Sequence, residues 1–466
     1  MKYIPTIGIE CHVQLNTKTK LFAAVGNDAR EAPPNSLISH ICVGMPGALP
    51  VLNKAAIELC TKVALALGTQ PQKNSFFERK HYFYPDLPKG YQITQYQAPI
   101  ITGGHLHINA GGQTKCIRIE RANLEEDAGK NIHPAGADYS LVDLNRAGTP
   151  LLEIVSQPDI NSPAEAKAFA REMWLLMKYA GVTNGDLYHG HVRFDVNISL
   201  SKDPAKLGTR SEIKNLNSFR SVEAAVAYEI KRQTELLGKG QKIVQETRGW
   251  DEAKQKTTSQ REKEEAHDYR YMPEPDIPPI ELDVKYIDRI EKQMPMLPPM
   301  IRQRLAKIKI ELKVIEDILD QPETVPIILE VLKRNDAKAA RRAAFWLLHS
   351  TNIRRVDANK IIALSKLVDD GKLSSSAAKT VFEAMQKSKE GPEAIAQRLK
   401  LVQVSDKGAI EKIVTEVISE NPKVVAEIKA GQEKAIGFLV GQVMAKSRGQ
   451  ANPSLAQKLI KKHLGV

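Results

Sequence analysis

Four short stretches concentrate residues able to do chemistry. In residues 7–15 (IGIECHVQL) apolar side chains alternate with Glu10, His12 and Gln14, so a strand there puts the three polar groups on one face. Residues 192–200 (VRFDVNISL) repeat the pattern: Val192, Phe194, Val196, Ile198 and Leu200 face a core, and Arg193, Asp195, Asn197 and Ser199 face away. Residues 209–217 (TRSEIKNLN) align Arg210, Glu212 and Lys214 on one face, and residues 121–130 (RANLEEDAGK) set Glu125, Glu126 and Asp127 side by side. Carboxylates with a few neutral donors can hold Mg²⁺ and its waters, while Arg and Lys neutralise phosphate oxygens; the combination fits a Mg-nucleotide site. There is no P-loop and no kinase-type glycine loop to cradle the phosphates. Each stretch alone also fits a bland reading, the solvent face of a half-buried strand or, for the acidic triplet, a solvated loop.

The elements that must position these groups are readable from periodicity and caps. Ser162, Pro163 and Glu165 form a capping box with proline at the first helical position; Phe169, Met173, Leu176 and Ala180 make an apolar stripe, and Gly181 ends it. A second helix is expected from near Phe219 to Leu237, with Val222, Val226, Ile230 and Leu237 inward and Gly238 as its stop. Helices over amphipathic strands give an α+β fold, an N-terminal mixed or antiparallel sheet domain followed by helices. Residues 271–279 (YMPEPDIPP) read as a proline-stiffened, extended end to that unit. In the tail, Ile410, Ile413, Val414, Val417 and Ile418 lie on one helical stripe stopped by Asn421-Pro422. Asn452-Pro453 opens a last helix carrying Leu455, Leu459 and Ile460. The expected domains are 1–290, 291–400 and a small helical tail, 401–466.

Charge divides along the same line. Residues 301–466 hold 30 Lys and Arg against 19 Asp and Glu, a balance of +11, out of +12 for all 466 residues. A basic region beside a neutral one suits a polyanion such as nucleic acid, or is a lysine-rich helical surface and no more. No window approaches 18 consecutive apolar residues, and the start MKYIPTIGIE lacks the regions of a secretory signal, so neither membrane nor export is expected. Cys11, Cys42, Cys60 and Cys116 show no C-x-x-C spacing, which argues against a disulfide framework and for a reducing cytoplasm.

At these residues the chain resembles the B-subunit family of the tRNA-dependent aspartyl/glutamyl amidotransferases. The resemblance rests on IGIECHVQL (7–15), GMPGALPVLN (44–53), LEEDAGK (124–130), SLVDLNRAGTPLLEIVSQPDI (140–160), GTRSEIKNLNSFR (208–220), EEAHDYRYMPEPDIPP (264–279) and FLVGQVMAKSRGQANP (438–453). It implies a defined reaction. Glutamate or aspartate wrongly attached to the tRNA for glutamine or asparagine is phosphorylated on its side-chain carboxylate by ATP, and ammonia displaces the phosphate to leave the amide. The ammonia comes from a glutaminase A subunit, and a C subunit completes a heterotrimer. Nothing in this chain looks like the amidase.

By the family's pattern Glu10, His12, Glu125 and Glu126 are first choice for Mg²⁺, with Glu212 and Asp195 next. Arg193, Arg210 and Lys214 are assigned to ATP phosphates or the activated carboxylate, with Asn197 on the same face, and Lys80, Tyr82 and Lys89 to the transamidation pocket. Lys446 and Arg448 are the tail's candidates for tRNA. Many members carry four zinc-binding cysteines; here Ala23, Val25 and Ser39 replace three and Cys42 alone remains, so no zinc and local hydrophobic packing are expected. The rival reading is a non-catalytic tRNA-binding scaffold.

Overall fold

The computed structural model describes residues 3–262, 269–334, 336–350, 356–402, 407–430, 432–447 and 451–465. They form two compact units, Met1–Pro298 and Pro299–Val466.

The strands that matter in the first unit are β1 (Ile4–Gln14), β2 (Glu78–His81), β3 (Tyr91–Thr94), β4 (Ile101–Thr102), β5 (His105–Ala110), β6 (Gln113–Glu126), β7 (Pro150–Ser156), β8 (Val192–Ser201), β9 (Ser211–Leu216), β10 (Glu246–Asp251), β11 (Lys256–Glu262) and β12 (Met272–Pro273). Nine of them form one sheet in the order β11-β10-β9-β8-β1-β7-β6-β4, with β5 paired to β6. All its pairings are antiparallel except β9 with β10. The fold is α+β. β1 runs through the middle, with Glu10 opposite Asp195 on one side and His12 between Arg193 and Glu153.

One sheet face is apolar. Ile7, Ile9, Cys11, Val13, Val192, Phe194, Val196 and Ile198 are all buried beneath two helices, α1 (Pro163–Tyr179) and α2 (Phe219–Gly238), which pack on each other. Ser162 caps α1 by accepting from Glu165 N, and Phe169, Met173, Leu176 and Ala180 point inward as the stripe requires. Phe194 meets Phe219 edge to face at 6.2 Å; truncating such a ring to alanine costs about 3–5 kcal/mol.

α2 departs from expectation. Val222 and Val226 are buried, but Ile230 and Leu237 are only half-buried, and Glu229 and Gln233 take the inner positions. The cause is a pair of guanidinium groups, Arg232 of the same helix and Arg248 of β10, which reach Glu229 at 2.8 and 3.1 Å; Thr257 Oγ1 of β11 also donates to it. A buried guanidinium needs a counter-charge, and the helix turns its carboxylate in to supply one.

Among the described residues the elements of the second unit are all helices, ending in α3 (Lys407–Glu420), α4 (Pro422–Lys429), α5 (Ile436–Lys446) and α6 (Pro453–Leu464). Ile410, Val414, Val417, Leu439, Val443, Leu459 and Ile460 share one core. Asn421-Pro422 both ends α3 and opens α4. Asn452 Oδ1 caps α6 by accepting from Ser454 N and Leu455 N. Lys446 is exposed and bonded to Glu416 and Glu420, so a polyanion would have to displace those carboxylates; Arg448 lies outside the described residues. Among the described residues no helix is long and apolar enough to cross a membrane.

Candidate functional site

The polar face of the sheet gathers the expected groups into two neighbouring clusters and a basic cleft. In the first cluster Glu10, Asp195 and Glu212, from β1, β8 and β9, each bring one carboxylate oxygen within 4.8 Å of the others. Lys214 Nζ sits 3.1 Å from both Asp195 and Glu212, and those two charges, against the effect of burial, raise its pKa. Asn215 N donates to Asp195 at 2.8 Å, and Thr247 Oγ1 to Glu212 at 3.1 Å, which orient the two acids. Burial and the charges of Glu153 and Asp195 raise Glu10 above the usual carboxylate range. Asn197 Nδ2 donates to Glu10 at 2.7 Å, leaving Asn197 Oδ1 buried without a hydrogen-bond partner.

These residues fit a divalent cation. Three carboxylates this close repel one another, and a buried amide oxygen with nothing to accept from is a further oxygen ligand in waiting. Of the first-choice acids only Glu10 stands in this group, beside the second-choice acids Asp195 and Glu212; His12, Glu125 and Glu126 lie outside it.

The second cluster surrounds His12. Its Nε2 lies 3.5 Å from Glu153, which also accepts from Asn123 at 2.9 Å. Burial works to lower His12, but the hydrogen bond and charge of Glu153, together with Asp195, outweigh it and hold the imidazole at about 9. Burial likewise pushes Glu153 up, and His12 and Lys80 pull it down to about 2. Glu125 is raised to about 7, by burial first and the Glu153 charge second, against Lys80, His12 and a 2.8 Å bond from Thr94. At neutral pH this cluster holds a cationic imidazole, an ionised carboxylate and a carboxyl group poised between its two forms.

The acidic triplet is no solvated loop. Glu125, Glu126 and Asp127 are 7%, 4% and 5% exposed, at the end of β6. Each acid has a separate task. Glu125 joins the His12 cluster; Glu126 is held by Lys89 and by Ile93 N at 3.0 Å, which ties β3 to β6. Asp127 takes Arg193, Arg146 and Gln14, and the two arginines, against burial, hold its carboxyl below the usual range. Arg146 also donates to Ala128 O and Gly129 O, where a Cβ on Gly129 would stand 2.9 Å from Asp143 O; only glycine lets these loops approach so closely.

Arg193 and Arg146 open onto a cleft of about 910 Å³ that is also lined by Lys18, Arg30, Lys130 and His191. Its size suits a nucleotide and its charge suits phosphates. Lys80 stands between Tyr82 and Tyr269, its Nζ 4.6 Å from the Tyr269 ring centre and 5.8 Å from that of Tyr82. Arg210 lies one residue ahead of β9 and is exposed, apart from the face it was expected to share.

The sequence does not single out Glu153, Asp127 or Arg146 for these roles. Glu153 shares its strand face with apolar Leu151 and Val155, so a single polar position gives no face to recognise. In the loop that carries Cys42 the expected hydrophobic packing is joined by a charged group. Ala23 is buried, but Lys20 is also buried and donates to Leu37 O at 2.6 Å, with Cys42 Sγ 3.6 Å away and Ser39 Oγ 3.3 Å from that sulfur. Val25 is half-buried nearby in the chain.

Comparison with known proteins gives this geometry a family. Residues 5–288 match the family model described as the GatB/GatE catalytic domain, and residues 347–464 the one described as the GatB domain. The chain is 45% identical over 479 residues to the B subunit of the aspartyl/glutamyl-tRNA(Asn/Gln) amidotransferase of Persephonella marina, covering the whole of both chains. It is 44% identical to the B subunits of the same name from Thermodesulfovibrio yellowstonii and Coxiella burnetii, over 477 and 478 residues and again over the full length of both. With its catalytic-domain match spanning more than half its length and full-length relatives at this identity, the chain belongs to the family of aspartyl/glutamyl-tRNA(Asn/Gln) amidotransferase B subunits.

Proposed function

We propose that this chain is the B subunit of a glutamine-dependent, ATP-using ligase that converts glutamate on tRNA(Gln), or aspartate on tRNA(Asn), to the amide. The observation that carries the reading is the Glu10–Asp195–Glu212 triad with its unpartnered Asn197 oxygen, set beside a basic cleft of nucleotide size.

The chemistry divides between the two clusters. A carboxylate is a poor electrophile, so an oxygen of the substrate carboxylate attacks the γ-phosphorus of ATP; ADP leaves and an acyl phosphate forms. Ammonia then adds to the acyl carbon, phosphate leaves and a proton must be removed from nitrogen. Arg193 and Arg146, held by Asp127, bind the phosphates in the cleft, and Lys214 offsets charge on the transferring group. Glu10, Asp195, Glu212 and Asn197 would hold Mg²⁺, which would supply neutralisation of the charge on the phosphates. Glu125, titrating near 7, takes the proton from the attacking nitrogen, while the His12 imidazolium stays charged and steadies Glu153. Lys80, Tyr82 and Lys89 line the approach of the aminoacyl group and ammonia.

The implied partners are a glutaminase A subunit and a C subunit, with the basic second unit gripping tRNA by backbone charge. No observation favours the scaffold reading; a face that only holds tRNA has no use for three converging carboxylates. The test is reconstitution with A and C subunits and assay of ATP-dependent Gln-tRNA or Asn-tRNA formation. ADP released in proportion to aminoacyl-tRNA supports the kinase step, and tRNA binding without ADP release would leave only the scaffold.

A further inference from the structure

Beside the His12 cluster, and continuous with Lys80 and Tyr82, lies an aromatic surface whose outer rings, Tyr96, Tyr269 and Tyr271, have no part in the reaction as described. Tyr96 and Tyr271 are stacked, with ring centres 4.4 Å apart and planes at 15°. Tyr269 meets Tyr271 edge to face at 6.2 Å and Tyr82 at 6.4 Å, with the Lys80 ammonium over the Tyr269 ring. Tyr96 is 49% exposed, and exposed Arg270 stands between Tyr269 and Tyr271 in the left-handed region at φ 47°.

This surface is held rigid from beneath. Glu78, at 0% exposure, accepts from Tyr96 N at 2.8 Å and Gln97 N at 2.7 Å, fixing the turn that carries Tyr96. Arg79, next in the chain, makes a forked pair with Glu274 at 2.8 and 3.0 Å, and β12 pairs with β2 so that Met272 lies opposite Arg79. His81 Nδ1 and Arg270 O are 2.9 Å apart. Two segments far apart in sequence are thus locked together, and the product of the locking is an open stacked pair.

We propose that the Tyr96–Tyr271 pair is a stacking seat for the unpaired bases at the 3′ end of the aminoacyl-tRNA; the proposal rests on the functional reading above. Preformed aromatic faces with adjacent cations bind single-stranded nucleic acid without reading sequence, because every base offers a π-face. That suits a terminus shared by different tRNAs. The location suits it as well: the amino acid hangs from the terminal ribose, so the last bases must rest beside the carboxylate chemistry. Tyr271 is within electrostatic reach of it, since after burial the charges of Glu125 and Glu153 are what raise its phenol. Lys80 links the two places, lying over Tyr269 and drawing down both Glu125 and Glu153.

The experiment uses the reconstituted A–B–C complex and Glu-tRNA carrying 2-aminopurine in place of the 3′-terminal adenine. Stacking quenches this fluorophore. With the native complex the emission falls on binding; with Tyr96→Leu, which keeps bulk without a π-face, and with Tyr271→Ala, the quench is lost and Kd for Glu-tRNA rises about 5- to 150-fold. Tyr96→Phe restores both. An unchanged quench and Kd in Tyr96→Leu and Tyr271→Ala overturns the proposal, and so does loss of the A–B–C complex on gel filtration, which would make the surface a contact between partners. A native complex that quenches the probe but forms no amide would instead overturn the functional reading and leave the stacking seat standing.

Discussion

Asn197 Nδ2 donates to Glu10 Oε1 at 2.7 Å, and the same amide keeps its oxygen buried with no donor in reach. Half of this side chain is thus used by the protein, and the other half suits the proposed cation. Removing it in Asn197→Ala loosens Glu10 and deletes an oxygen from the site. Losses of this kind cost about 10- to 100-fold in metal affinity. Mn²⁺ titration of the isolated chain, followed by electron paramagnetic resonance, reads it directly; unchanged affinity would remove Asn197 from the site.

Asp127 lies between two arginines, so Asp127→Asn removes the charge they share in a partly buried place, at a cost of about 1–3 kcal/mol. The pH dependence has a definite sign. The folded carboxyl titrates below its unfolded value of 3.8, so its contribution is fully present above that value and is lost as pH falls below it. Urea midpoints of native and Asp127→Asn protein should therefore differ at pH 7 and draw together as pH falls below 3.8. A gap that persists at low pH would show that the loss is one of packing.

Glu229 makes the same point on the helix that covers the apolar face of the sheet. Glu229→Gln keeps the shape and removes the charge that Arg232 and Arg248 share; unfolding should become easier by about 2–4 kcal/mol, with Mn²⁺ affinity at the triad unchanged. Urea denaturation and the same Mn²⁺ titration check both halves.

Much of this is legible in the chain. Strict alternation in IGIECHVQL and VRFDVNISL places Glu10, His12, Arg193, Asp195 and Asn197 on one face, because a period of two leaves no choice once the apolar side is buried. What alternation cannot give is which strands are neighbours. Glu10 meets Asp195 and Glu212 because β1, β8 and β9 are adjacent, a fact of topology that no local pattern encodes. The triplet shows the other limit. Charge in a sequence usually signals solvent, and Glu125, Glu126 and Asp127 are buried only because Thr94, Lys89, Arg146 and Arg193 arrive from distant segments to pair them. Glu229 escapes a sequence reading for the same reason: its partner Arg248 comes from β10.

Glu125 is the group whose protonation changes near neutrality, so Glu125→Gln should separate the two half-reactions. ADP release with Glu-tRNA should persist, and amide formation should fall by about 10²–10⁴-fold. Quenched-flow assays that follow ADP and Gln-tRNA together distinguish this from a defect in the first step, in which both products would fall in parallel.

On the proposed function, the Glu10–Asp195–Glu212 triad serves the ATP-dependent step. The most direct test is amidation of Glu-tRNA by the reconstituted complex with ammonium as nitrogen donor, comparing native protein with Glu10→Gln and Glu212→Gln. Both variants should lose at least about 10²-fold in ATP-dependent turnover while their Kd for Glu-tRNA stays within about twofold of native. Turnover at the native rate in either variant would contradict that role.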